Sequence, residues 1–171
     1  MSSDEQKLWK RIKEFEISDP IAEFSFSDRV ARENSWTLEY SLRTILEYKK
    51  FMFLISVAEH PLTPSDQVDQ VWHLHLIYTE SYWTDFCKNT LNKFIQHGPT
   101  KGGEIEKTKY NNWYEATKEL YKSKFEQAPP NDIWPSSEVR FGHLRYTRVN
   151  LHANWVISKP IFFRKWKFWK N

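Results

Sequence analysis

Thr63 to Cys87 reads TPSDQVDQVWHLHLIYTESYWTDFC, and the way this stretch winds decides the fold. Thr63-Pro64-Ser65-Asp66 predicts a helix start. Thr63 can cap, Pro64 suits the first helical position because its missing N–H is not needed there, and Asp66 can reach back to the cap amide. At ~3.6 residues per turn, Asp69 and His73 lie one turn apart on one face, while His75, Thr79 and Tyr82 share another. His73 and His75 are then roughly 200° apart around the axis and cannot hold one metal ion together in a regular helix. The zinc-protease pattern, with histidines four apart, is excluded.

Outward from this stretch, apolar periodicity predicts helices along most of the chain. Ser3 to Ile17 is amphipathic, with Leu8, Ile12 and Phe15 on one side, and Asp19-Pro20 breaks it. Phe24 to Asn34 is a weaker helical segment. Trp36 to Ala58 gives the strongest signal, with Leu38, Leu42, Ile45, Met52 and Ile55 spaced by threes, fours and sevens. From Tyr48 onward its apolar residues cover nearly all sides, so it is expected to be central. His60-Pro61 ends it, and His60 at that end has a structural reading. A bend is expected near Thr79. His97 to Gly103, HGPTKGG, is a loop; its Lys101 and free amides do not match P-loop spacing, and Glu104 and Glu106 after it would repel a phosphate. Gly102-Gly103 opens a long helix to about Glu126, with Tyr110, Trp113, Tyr114, Thr117, Leu120, Tyr121 and Phe125 along one side. Pro129-Pro130 stops it and Asn131 to Pro135 is a turn.

At 171 residues the chain suits one domain with a real core. Aromatics make up 17% of it against only four glycines, too aromatic for a disordered chain and too glycine-poor for a sandwich of tight turns. The single cysteine excludes an internal disulfide and agrees with a reducing, cytoplasmic compartment. Met1 to Lys13 is polar and charged, unlike a signal peptide. The longest apolar run, Phe51 to Ala58, is far short of the ~20 residues of a spanning helix, so a soluble or peripheral protein is expected. Residues 1–138 carry 17 Lys/Arg against 22 Asp/Glu, net −5, whereas 139–171 carry 8 Lys/Arg and no acid, net +8. The basic character belongs to the tail.

Residues 24 to 135 resemble the glycine-rich-domain-protein-like family, and most nearly its short bacterial members, which consist of this domain alone. The match rests on EYKKF (Glu47 to Phe51), TPSDQVDQVWHLHL (Thr63 to Leu76), TESYWTDFC (Thr79 to Cys87), HGPTKGG (His97 to Gly103) and DIWP (Asp132 to Pro135). Plant members are similar over W-H-x-H but have a proline where this chain has Thr79, which points to a helix break there. Their cysteine stands one position earlier, which argues against a fixed role for Cys87. The resemblance implies a helical fold and a site region and names no activity.

Two readings of the motif follow. In one, His73, His75, Cys87 and His97, with Glu47 or Glu106 as further donors, hold zinc, copper or iron or a small molecule. Asp69 and Tyr82 then orient the ligands, Asp69 by accepting a hydrogen bond from His73. At least one of His73 and His75 should be buried and face His97 or Cys87. In the other reading, both histidines are buried hydrogen-bonding residues that tie helices together. That reading weighs more, because the spacing is that of no standard metal motif. A nucleophilic Cys87–His pair is the least favoured, since a lone cysteine among Trp and Phe is usually inert core. Whether the protein is an enzyme stays open.

The tail reads IFFRKWKFWKN (Ile161 to Asn171). Arg164, Lys165, Trp166, Lys167 and Trp169 suit an anionic membrane surface, where rings sit at headgroup depth, or single-stranded nucleic acid, where rings stack on bases. An acidic protein partner, or the acidic body itself, is the other occupant. Asn154 to Ser158 is expected to be a short extended piece packed on the body. The fold expected from all this is a mostly α single-domain bundle of about five helices over 1–138, followed by a basic, aromatic arm over 139–171.

Overall fold

The structure, a computed structural model, describes residues 1–17, 22–98, 103–142, 149–150 and 152–157; the side chains of 104–107 fall outside that description. Seven helices and no strands occur among the described residues: α1 (Ser3–Glu14), α2 (Phe26–Asn34), α3 (Leu38–Val57), α4 (Asp66–Ile77), a π-helix (Ser81–Leu91), α5 (Glu104–Phe125) and the single-turn α6 (Ser137–Arg140). None is long and apolar enough to cross a membrane.

Local chemistry sets the ends of these helices. Ser2 with Glu5 and Ser25 with Asp28 form reciprocal capping boxes at α1 and α2. Thr37 caps α3. Helix α4 starts two residues later than expected, because Ser65 rather than Thr63 accepts from the Val68 amide, at 3.2 Å. Asp66 does not reach back to the cap. It lies 3.7 Å from the Arg140 guanidinium, while buried Thr63 is held by Thr117 of α5. Gly103 enters α5 at φ +94°, a conformation a side chain would strain.

Helix α3 is the hub, packed against α1, α2, α4 and α5. Tyr48, Phe51, Met52, Phe53 and Leu54 are fully buried, and side chains of this kind contribute about 1.5–3 kcal/mol each. The first half of α3 differs from its periodicity. Leu38 and Leu42 of that period are exposed, whereas Ser41 and Thr44 are buried. Both hydroxyls bond back to the preceding turn, Ser41 to Thr37 O at 2.9 Å and Thr44 to Tyr40 O at 2.8 Å. Small side chains satisfied in this way can face a closely packed neighbour.

The bend near Thr79 is present: α4 ends at Ile77, and its cap residue Tyr78 has a ψ of 66°, outside the helical region. The following segment winds as a π-helix, which the sequence reading did not anticipate. Its buried residues are Tyr82, Phe86, Cys87 and Leu91. In an α-helix, Tyr82 and Leu91 would point roughly 180° apart. At about 4.4 residues per turn, the winding that i→i+5 bonding gives, they fall on one face. The burial pattern of this segment therefore follows from its wider winding.

In the described part of the arm, the expected packing is overturned. Trp155 is 94% exposed, Ile157 82% and Val156 69%, and residues 154–157 form no strand. Ser158 and the arm residues Arg164, Lys165, Trp166, Lys167 and Trp169 lie outside the described residues.

Candidate metal centre and the two histidines of α4

The two histidines of W-H-x-H go to opposite sides of α4, as their angular separation requires. His75 points inward and is fully buried. Its Nδ1 lies 2.8 Å from the Tyr48 hydroxyl of α3, and its Nε2 lies 3.2 Å from Ser81 Oγ of the π-helix. Phe15, Phe26, Tyr82 and Phe86 surround the ring. Tyr48 is buried with His75 as its hydrogen-bond partner, so its hydroxyl donates to Nδ1, and the Nε2–H then donates to Ser81. Burial, aided by the charge of Lys49, brings the His75 pKa down to about 3. A neutral imidazole with both nitrogens engaged is neither a metal ligand nor a base for Ser81. His75 is a tie between α3, α4 and the π-helix.

His73 points outward, its side chain 51% exposed. One turn earlier on the same face stands Asp69, and His97 approaches from the segment after the π-helix. His97 Nε2 is 2.8 Å from Asp69 Oδ1, and His73 Nε2 is 3.9 Å from Asp69 Oδ2. The two imidazole rings are 4.6 Å apart, and one donor atom from each of the three residues lies within 4.8 Å of the others. The expected hydrogen bond from His73 to Asp69 is not formed, because 3.9 Å is too long. His97 takes the carboxylate instead, as an Nε2–H donor to an acceptor-only group.

His97 owes its place to a chain of contacts. Trp72 of α4 packs its ring 4.2 Å from that of His97 and donates its indole N–H to Tyr82 at 2.9 Å. The Tyr82 hydroxyl in turn donates to Ile95 O at 2.7 Å. Tyr82 thus fixes the strand of chain two residues before His97, having been expected to orient the ligands. Asp66 extends the polar patch: burial raises its carboxyl pKa, and the nearby Arg140 partly offsets the rise.

The remaining candidates stand elsewhere. Cys87 is buried, and burial pushes its thiol pKa up, opposed by a hydrogen bond to the Ile95 backbone and by Tyr82. It lies outside the Asp69–His73–His97 cluster, and its burial disfavours the thiolate that ligation or nucleophilic attack requires. The expectation of a buried motif histidine facing His97 or Cys87 is divided between two residues: His75 is buried but faces Tyr48 and Ser81, and His73 faces His97 but is half exposed. Glu47 is committed to a buried knot. It accepts from Lys50 Nζ at 2.7 Å, Tyr121 Oη at 3.1 Å and Trp134 Nε1 at 2.9 Å. The side chain of Glu106 is outside the described residues.

Compared with protein-family models, with curated proteins and with solved structures, the chain matches none. The geometry therefore carries the functional reading by itself. Sequence reasoning missed the partners of His75, Tyr48 and Ser81, although Ser81 sits in the quoted stretch. It also missed the knot, whose members come from EYKKF and DIWP, two of the motif segments, and from the aromatic stripe of α5. A cavity of about 500 Å³ is lined by Ser81 together with Phe24, Phe26, Tyr78, Glu80 and Asp85. Asp69, His73 and His97 do not line it.

Proposed function

We propose that this chain is a metal-binding helical domain of the glycine-rich-domain-protein-like type, with Asp69, His73 and His97 as its three protein ligands. The observation that supports it is the meeting of these three donors at the edge of α4. In a tetrahedral site with bonds of about 2.1 Å, donor atoms are about 3.4 Å apart. One donor atom from each of the three residues lies within 4.8 Å of the others, so drawing them to that spacing takes up to about 1.4 Å. Two imidazoles and a carboxylate suit zinc or ferrous iron; without the Cys87 thiolate, copper(I) is disfavoured. The fourth position would face solvent beside half-exposed His73, open to water or a small molecule. A reducing, cytoplasmic setting belongs to the same reading, supported by the free, buried cysteine.

Elemental analysis of protein purified without an affinity tag or chelator tests it. One equivalent of zinc or iron is expected, lost in His73→Ala and His97→Ala variants that melt close to the wild type. His75→Gln should keep the metal while losing stability. Metal-free protein that also fails to take up added zinc or ferrous ion, or retention of metal in both His73→Ala and His97→Ala, overturns the reading.

A further inference from the structure

The most solvent-exposed apolar run among the described residues lies in the C-terminal arm. Trp155, Val156 and Ile157 are consecutive and 94%, 69% and 82% exposed. Three large apolar side chains in a row facing water mark a surface meant to be covered. The sequence around them supplies the complementary charge: residues 139–171 carry 8 Lys/Arg and no acid, and five of these cations follow Trp155. Such a segment attracts an anionic surface, and like charge opposes pairing with a second copy of itself.

The side chains themselves discriminate between anionic partners. Single-stranded nucleic acid is gripped by rings that stack on bases, a role for Trp155 but not for aliphatic Val156 and Ile157. A bilayer uses all three. The indole sits at headgroup depth, and the branched aliphatic groups enter the acyl boundary. We propose that the arm docks this protein on anionic lipid surfaces, with Trp155, Val156 and Ile157 as the inserted contact and the Lys/Arg of the arm's sequence as the electrostatic attraction. Each cation near an anionic leaflet strengthens binding by about fivefold, and that part weakens as salt rises. The docking is independent of any metal at Asp69, His73 and His97.

Co-sedimentation of the full chain with phosphatidylcholine vesicles, with and without phosphatidylserine, tests the proposal, with a single-stranded oligonucleotide titrated in parallel. Binding should require phosphatidylserine and fall as salt rises. The triple variant W155A/V156S/I157S should bind at least about tenfold more weakly while melting at the wild-type temperature, because the three side chains face water. No binding to acidic vesicles, equal binding to neutral ones, or tighter binding of the oligonucleotide overturns the proposal. A variant that binds as the wild type does, or that unfolds at lower temperature, overturns it equally.

Discussion

Lowering the pH from about 7 to about 5 should cost this protein about 2 kcal/mol of stability through one side chain, His75. In the unfolded chain it titrates at its ordinary value of 6.5; in the folded state burial holds it down to about 3. A folded-state value below the unfolded one means that the unfolded chain binds the proton first. The contribution is complete above about pH 6.5 and is lost as pH falls toward 3. Each pH unit below 6.5 then costs about 1.4 kcal/mol, and the 1.5 units down to pH 5 give about 2 kcal/mol. That figure holds for any folded-state value below about 4, because the folded imidazole is then still neutral at pH 5. Urea unfolding of the wild type and a His75→Gln variant across this range isolates the effect. Glutamine can accept from Tyr48 and donate to Ser81 but does not titrate. The variant should be less stable at neutral pH by about 1–3 kcal/mol, with the pH-dependent loss smaller by about 2 kcal/mol. In melting temperature that difference is about 4–8 °C. Parallel losses in the two proteins would refute the buried, neutral His75 and the tie it makes.

Two further substitutions probe the elements that hold the site in place. Glu47→Ala strips the Lys50 ammonium, the Tyr121 hydroxyl and the Trp134 indole of their shared acceptor; a loss of about 3–5 kcal/mol is expected in chemical unfolding, much of it recovered in Glu47→Met/Lys50→Met. Tyr82→Phe leaves the Trp72 N–H without its acceptor and Ile95 O without its donor; it should cost about 2–3 kcal/mol and loosen the proposed metal site without touching a ligand. Metal affinity unchanged in that variant would separate Tyr82 from the placement of His97.

The helical elements were readable because their signals are local. The Leu8, Ile12 and Phe15 stripe of α1, the apolar residues that cover α3 from Tyr48 onward and the glycines before α5 each act within a few residues. The opposite facing of His73 and His75 was likewise a matter of angle alone. Which of them is buried was not legible, since that depends on Tyr48, 27 residues away from His75. Asp69 has two histidines to choose from, and the one a turn away on its own helix loses to His97, 28 residues distant. Tertiary approach outweighs helical spacing there. Leu38 and Leu42 misled because a leucine repeat reads as core, whereas Ser41 and Thr44 could be buried once their hydroxyls bonded to the backbone. Trp155 misled for the same reason, as an aromatic read as a packed one.

The π-helix between Ser81 and Leu91 has a consequence for how this protein tolerates changes in length. Nine steps from Tyr82 to Leu91 return to the same side, a return that an α-helix makes in about seven. The segment is thus equivalent to a heptad that has absorbed two extra residues as girth. Extra length usually comes to rest in loops; a π-helix can instead take it up in a wound element whose buried side still faces the core. A related chain two residues shorter here could keep the same inward face as an ordinary α-helix. The gap in an alignment of the two would then mark a change of winding rather than the end of an element.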